Sequence, residues 1–422
     1  ALESITVSKG NTVYHSKDSC LIETASRTLI AGCKNSVIPT DDSVTSIGGD
    51  AFNGCTGLTS ITIPGGVTSI GNDAFYNCPN VVIYFCNNEY AKKYCETNNL
   101  KYQILPSILH EGESGDLKWV LYENGLLEIT GSGKMSWSYS YNSSPWYAYR
   151  DSITSIMIGD GVTSIGYYAF FECTGLTSIT IPDSVTSIGY YAFSGCKGLT
   201  SITIPDGVTS IGGAFFDCSA LESITVSKGN TVYHSNGNCL IKTASKTLIA
   251  GCKNSVIPVD GSVTSIGDWA FSGCKGLTSI TIPNGVTSIG GSAFSGCKGL
   301  VSIIIPDGVT SIGYSAFEGC SKLTSVTIGN SVTSIGKEAF TGCVALESIT
   351  VSEGNTVYHS NGDCLIETAS KTLIAGCRNS VIPADGSVTS IGDYAFSGCV
   401  ALESITVSEG NTVYHSNGDC LI

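Results

Sequence analysis

The sequence predicts a β-rich repeat solenoid with short helices, built from coils of about two dozen residues, and three observations carry that reading. The string Val-Thr-Ser-Ile-Gly recurs with its valine at 44, 67, 162, 185, 208, 263, 286, 309, 332 and 388, most often 23 residues apart. Each copy keeps the same apolar positions: Val185, Ile188, Ala192, Phe193, Cys196, Leu199, Ile202 and Ile204 in one, Val286, Ile289, Ala293, Phe294, Cys297, Leu300, Ile303 and Ile305 in another. Neither a heptad nor a period-2 pattern fits the whole unit, so the chain must change direction within each copy. One unit cannot bury its apolar side alone, but stacked units can.

Within Val185–Gly207, the segment Leu199 to Pro205 reads as a strand. It is β-branched, alternates at its end, and stops at a proline that cannot donate to a ladder. Val185–Ile188 is a second, shorter extended piece. Gly189 to Cys196 has room for one or two helical turns that place Ala192, Phe193 and Cys196 on one face. Stacking then predicts rows of equivalent side chains, with Phe193, Phe294 and Phe317 stacked in successive coils.

Two intervals, Val208 to Val263 and Val332 to Val388, are longer. Each holds an extra unit such as Leu346–Ile366 followed by Lys371–Cys377, where the pair Asn361-Gly362 signals a hairpin. These are predicted to be widened coils carrying an added β-hairpin. The chain starts inside one such unit and stops inside another. Solenoid ends need caps, so the sequence is expected to be part of a longer chain, with targeting or anchoring segments outside it. The periodicity breaks from about 80 to 150. Val81–Phe85, Glu89–Asn99 and Lys101–Leu105 read as strand, helix and strand, and Trp119–Thr130 as a hairpin through Asn124-Gly125. An aromatic loop with Trp137, Tyr139, Tyr141, Trp146, Tyr147 and Tyr149 follows. The predicted organisation is a first repeat block with its C-terminal cap over 1–104, a linker with a β-hairpin and aromatic N-terminal cap over 105–150, and a second block over 151–422, cut mid-repeat.

The unit Val-Thr-Ser-Ile-Gly-x-x-Ala-Phe-x-x-Cys-x-x-Leu-x-x-Ile-x-Ile-Pro resembles the BspA-like (treponemal-type) leucine-rich repeats of bacterial and protist surface proteins. The wide units, with Asn-x-x-Tyr-x-Ser-x-x-Gly, and the closing segment Val82–Leu105 are similar to that family too. The coil from Val208 departs from it by lacking one residue before Phe215, and Gly329 stands where the strand-ending proline is expected. The resemblance implies a right-handed leucine-rich-repeat stack, export to a bacterial cell surface, and a role in adhesion or recognition.

Composition narrows the partners. A net charge of −14 argues against nucleic acid, whose binders neutralise phosphates with Lys and Arg. No apolar run approaches the ~20 residues needed to span a bilayer, so no membrane insertion is expected. Four of the five histidines, His15, His234, His359 and His415, occupy one repeated position, which suits a structural role better than a catalytic one. His110 sits alone in the linker. The 19 cysteines include no Cys-x-x-Cys, and most fall at repeat positions where a thiol serves as a small hydrophobe. Stacked at ~4.8 Å, parallel Cβ vectors lie just beyond disulfide reach, so reduced, buried thiols are expected. Between Cys86 and Cys95 in the cap a bridge stays open. No calcium or phosphate-binding loop is present, and no cofactor or metal is expected.

Two surfaces are candidates for binding. The outward residues of the longer strands form a Ser/Thr ladder that includes Ser178, Thr180, Ser201 and Thr203. Such residues stabilise an exposed β face, yet a flat ladder also suits a repetitive partner: glycan, protein strands or ice. Tyr167 with Tyr168, and Tyr190 with Tyr191, fill the variable pair before Ala-Phe, joined by Trp269 and Tyr394. Exposed aromatics are enriched in recognition sites, although packing between coils also explains them. The function expected from all this is non-catalytic: a monomeric, extracellular adhesion or recognition module that binds host or microbial protein, or glycan, through an elongated surface. The alternative is a carbohydrate-binding or spacer region of a larger secreted enzyme.

Overall fold

A computed structural model of the chain describes residues 2–135, 140–398, 405–417 and 420–421, and the aromatic-loop residues Trp137 and Tyr139 lie outside them. The chain forms two compact units, 1–109 with 122–124, and 110–121 with 125–422. Both are β-solenoids with two parallel ladders.

In the second unit, Val-Thr-Ser-Ile segments stack in register: Ser164↔Ser187↔Ser210, then Ser265↔Ser288↔Ser311↔Ser334. The longer strands stack likewise, Ser201–Ile204 on Ser223–Val226 and Ser302–Ile305 on Ser325–Ile328 on Ser348–Val351. Ile202, Ile204, Ile303 and Ile305 point into the core, whereas Ser201, Thr203, Ser302 and Ile304 point outward. The exposed threonine of the short strand is tied down. Thr186, Thr209, Thr287, Thr310 and Thr333 each donate their hydroxyl to the threonine carbonyl one coil earlier, at 3.0–3.2 Å.

The corner Gly189–Cys196 contains no helical turn, contrary to the sequence reading. Tyr191 (φ 57°) and Gly195 (φ 76°) are left-handed, which breaks the continuous right-handed backbone a helix needs. Amides along the corner alternate in destination. Ala192, Ser194 and Cys196 donate three residues back, whereas Tyr191, Phe193 and Gly195 donate to Gly213, Ala214 and Phe216 of the next coil. The same alternation recurs at Trp269, Phe271 and Gly273. The corner is therefore a third intercoil ladder, and the left-handed positions belong to the scaffold.

Phenylalanines stack through the core as expected, but in separate runs. Phe170, Phe193 and Phe215 form one, with centroids 5.5 and 5.6 Å apart, and Phe271, Phe294, Phe317 and Phe340 another at 5.1–5.6 Å. The break is the wide coil, which carries Gly251 where a phenylalanine would stand. That coil is a three-stranded antiparallel meander, Tyr233–Asn236, Cys239–Lys242 and Thr247–Ala250, whose last strand joins the next parallel ladder. Its first turn centres on Gly237 (φ 59°) and Asn238 (φ 58°), and its counterpart on Gly362 and Asp363, one residue later than the Asn-Gly pair suggested. Two positive φ values define a type I′ turn. Leu240 packs with the coils before it, Cys239 and Ile241 with those after it, so this strand divides one apolar core from the next.

The Asn-x-x-Tyr-x-Ser letters of the wide unit each do a job. Asn230 donates to the carbonyls of Pro205 and Val208 and accepts from the amides of Val232 and Tyr233. Ser235 accepts from the Val226 amide. Buried Tyr233 accepts at its phenol oxygen from the Ile211 amide, 3.1 Å away, where the short-strand ladder stops. Tyr358 does the same for Ile335 at 3.2 Å. Tyr233→Phe should leave the Ile211 N–H without a partner and cost about 1–3 kcal/mol. Urea denaturation of the variant checks this; an unchanged midpoint refutes the capping role.

Caps reuse these devices. In the first unit, Ser60–Ile63 pairs with Val82–Cys86 and then Lys101–Leu105, around the helix Glu89–Thr97. Asn88 caps that helix and donates to Pro64 and Val67, as Asn230 does in the wide coil. Cys86 directs its thiol at the Pro106 carbonyl, while Cys95 lies in the buried face of the helix. In the second unit, the hairpin of Leu117–Tyr122 and Leu126–Gly131 pairs with Ser155–Ile158 and supplies the first rung of the long-strand ladder. Trp146 stacks on Phe170 at 5.7 Å and donates its indole N–H to the Ala169 carbonyl.

Candidate functional site

The tyrosine corner of the second unit gathers stacked aromatic rings on its surface. Tyr167 stacks on Tyr190 (5.8 Å) and Tyr168 on Tyr191 (5.1 Å), since the corner ladder holds successive copies in parallel. Trp269 meets Tyr190 and Tyr191 at 6.4 Å each. It reaches them across the wide coil because the corner Gly212-Gly213 lacks one residue. On the other side Tyr168 meets Phe171, and Phe171 meets Tyr141. Tyr190, Trp269 and Tyr141 expose 42, 37 and 53% of their surface, so this patch is open to a partner. Burial first, then the neighbouring phenols of Tyr168 and Tyr190, raise the Tyr191 hydroxyl above its ordinary range, so it stays a neutral donor. Tyr394, at the equivalent position far along the stack, is exposed.

Ser178, Thr180, Ser201 and Thr203 lie on the other ladder, exposed and outward. Ser178 pairs in register with Ser155, Ser201 with Ser223, and the Thr203 and Thr225 hydroxyls are 3.4 Å apart. The two candidate sets do not converge. What lies beside Tyr167 and Tyr190 is instead a groove of about 540 Å³ floored by Ser164, Ser187 and Ser210 and ending at Lys134 and Met135. Those serines were missed because they belong to the Val-Thr-Ser-Ile-Gly string shared by every coil. The signal available was the run of tyrosines beside them.

The repeated histidines are placed with threonines. His15, His234 and His359 set Nδ1 2.9–3.0 Å from the hydroxyls of Thr24, Thr243 and Thr368. His110 stacks on Tyr149. Repeat thiols donate to phenylalanine carbonyls one coil back, Cys196 to Phe170, Cys297 to Phe271 and Cys320 to Phe294, at 3.1–3.2 Å. Burial pushes the Cys173, Cys274 and Cys320 thiols up to about 12, which makes them poor nucleophiles. Among the described residues, no group of three or more His, Cys, Asp or Glu is placed to hold a metal ion, and no helix is long and apolar enough to cross a membrane.

No curated protein sequence matches the chain. Among solved structures, it is similar to a leucine-rich repeat protein from Eubacterium ventriosum (25% identity, TM-score 0.40, covering 72% of this chain and 92% of that one). It is similar also to a leucine rich cell surface protein from Faecalibacterium prausnitzii (27%, 0.48, 97% and 100%) and to a leucine-rich repeat protein from Bacteroides ovatus (23%, 0.35, 96% and 81%). The family described as "BspA type Leucine rich repeat region (6 copies)" matches residues 24–112, 143–258, 242–362 and 366–418. With matches over most of its length and the expected coil at each of them, the chain belongs to the BspA-type leucine-rich-repeat family.

Proposed function

We propose that the chain is a non-catalytic adhesion and recognition module displayed outside a bacterial cell, and that its elongated repeat surface binds host or microbial protein. The observation that carries this is the open aromatic corner on a rigid scaffold, with Tyr141, Tyr190 and Trp269 exposed together. Such residues supply large contact area at low entropic cost. The repeated histidines and thiols are engaged within the scaffold, which favours binding over catalysis. Membership of the BspA-type family supports display at the surface.

Near-identical patches on successive coils suit multivalent engagement, in which each added contact acts at high effective concentration. A solid-phase assay against matrix proteins should then show losses of a few-fold for Tyr191→Ala or Thr203→Ala. Deleting several coils should reduce avidity by about a hundredfold or more. Abolition by one point substitution, or turnover of an offered substrate, would sink the distributed, non-catalytic reading.

A further inference from the structure

We propose that the groove beside Tyr167 and Tyr190 is a subsite for an unbranched, neutral polysaccharide running along the solenoid axis. The inference rests on reading the tyrosine corner as a recognition surface, and it adds a ligand class to that reading.

The floor is three rungs of one ladder, Ser164, Ser187 and Ser210, spaced by the ~4.8 Å of neighbouring strands. Equivalent serines pair at two places elsewhere, Ser46 with Ser69 at 2.7 Å and Ser265 with Ser288 at 2.8 Å, while Ser311 and Ser334 continue the second ladder without such a bond. The groove serines do not pair in this way. Ser164 is only 8% exposed, its hydroxyl makes no hydrogen bond to a described residue, and it lines the groove. A hydroxyl that reaches a groove without a partner in the scaffold is free to bond a ligand there. Tyr167 and Tyr190 form one flank and Met135 closes one end, giving apolar surface beside the row of hydroxyls.

These features select among polymers. A peptide adding as a strand needs free backbone N–H and C=O groups. Here the floor's backbone is spent on its own ladder, with the Gly189 amide donating to Ile165 and Gly212 to Ile188. A polyanion would meet one cation, Lys134, on a chain of net charge −14. A neutral polysaccharide meets what is there. Serine and tyrosine hydroxyls both donate and accept, as sugar hydroxyls do. Sugar rings strung along the axis bring hydroxyls past each rung in turn. Among the described residues no carboxylate lines the groove, although the chain carries 35 acidic residues, so the described lining lacks the acid pair that would cleave a glycosidic bond.

Affinity electrophoresis of the whole chain in gels containing hydroxyethylcellulose, laminarin or galactomannan tests this, with dextran sulfate as the anionic arm. At least one neutral polymer should retard the protein. Ser187→Val, Tyr190→Ala and Ser210→Lys should each weaken that retardation tenfold or more, while Glu353→Gln, in an exposed turn outside both candidate surfaces, leaves it unchanged. Ser210 is exposed, so Ser210→Lys should melt as the parent does and isolates blockage from unfolding. Absence of retardation by all three neutral polymers, retardation by dextran sulfate alone, or retardation that persists in Ser210→Lys overturns the proposal. If protein adhesion survives while polysaccharide binding fails, only this inference falls; if both fail, the functional reading falls with it.

Discussion

Gly251→Ala is expected to cost about 3 kcal/mol, more than most single methyl additions, because the space beside Gly251 already holds the ring of the next coil. A Cβ built there meets the Phe271 ring at 2.0 Å. Neither partner can give way readily. The Gly251 amide donates to Ala270 at 2.7 Å, and Phe271 is buried against Phe294. The same pairing recurs in the other wide coils, Gly32 against Phe52 at 2.0 Å and Gly376 against Phe396 at 2.1 Å. Phe271→Ala alone should cost about 3–5 kcal/mol as a cavity. Made together, the two changes should cost about 2 kcal/mol less than their sum, since the new methyl enters space the ring has left. Urea denaturation of the four proteins completes the cycle. Strict additivity would mean that glycine is required here for its backbone alone.

That contact shows where the sequence is a good guide and where it stops. The apolar letters predict which side chains are buried, because burial follows from stacking any one coil on its copies. The wide coil is visible as an insertion. What the insertion does to the phenylalanine row is not, because Gly251 and Phe271 are neighbours only once the meander has returned the chain to the stack. The corner fails for a related reason. Gly189 to Cys196 has the spacing of a helical face, but its amides find better partners one coil onward, and left-handed Tyr191 and Gly195 are the geometry that allows it. A propensity argument sees only partners within a few residues.

The tyrosines were legible as a surface, since they vary against a fixed frame. The groove was not. Ser187 and Ser265 sit in the same five-residue string, and only the structure shows that one hydroxyl pairs with a neighbour's while the other opens onto space. The missing residue at Gly212-Gly213 was visible in the sequence, but its effect, bringing Trp269 onto Tyr190 and Tyr191, depends on a contact across the whole wide coil.

The largest effect of solution conditions should come from the thiols. In reductant, the free energy of unfolding should fall steeply above pH 9, because the folded chain keeps protonated thiols that the unfolded chain loses. Burial is the dominant cause of the shift: Cys173, Cys239, Cys274 and Cys320 are each pushed up to about 12 from an ordinary value of 9.0. The sign follows from proton linkage. Between pH 9 and 12 the native state binds protons that the unfolded state has released, so stability declines as pH rises. It is fully present below pH 9. Each such thiol contributes about 1.4 kcal/mol per pH unit, so four of them together give about 5 kcal/mol per unit, enough to unfold a marginal stack within two units. Urea midpoints measured from pH 8 to 11 should trace this decline. Cys320→Ala should lower stability at neutral pH through the lost packing, yet make the alkaline slope shallower by one thiol's share, which a purely structural defect would not do. A flat profile from pH 9 to 11 would show that water reaches the thiols through opened coils and that the stack is looser than its packing implies.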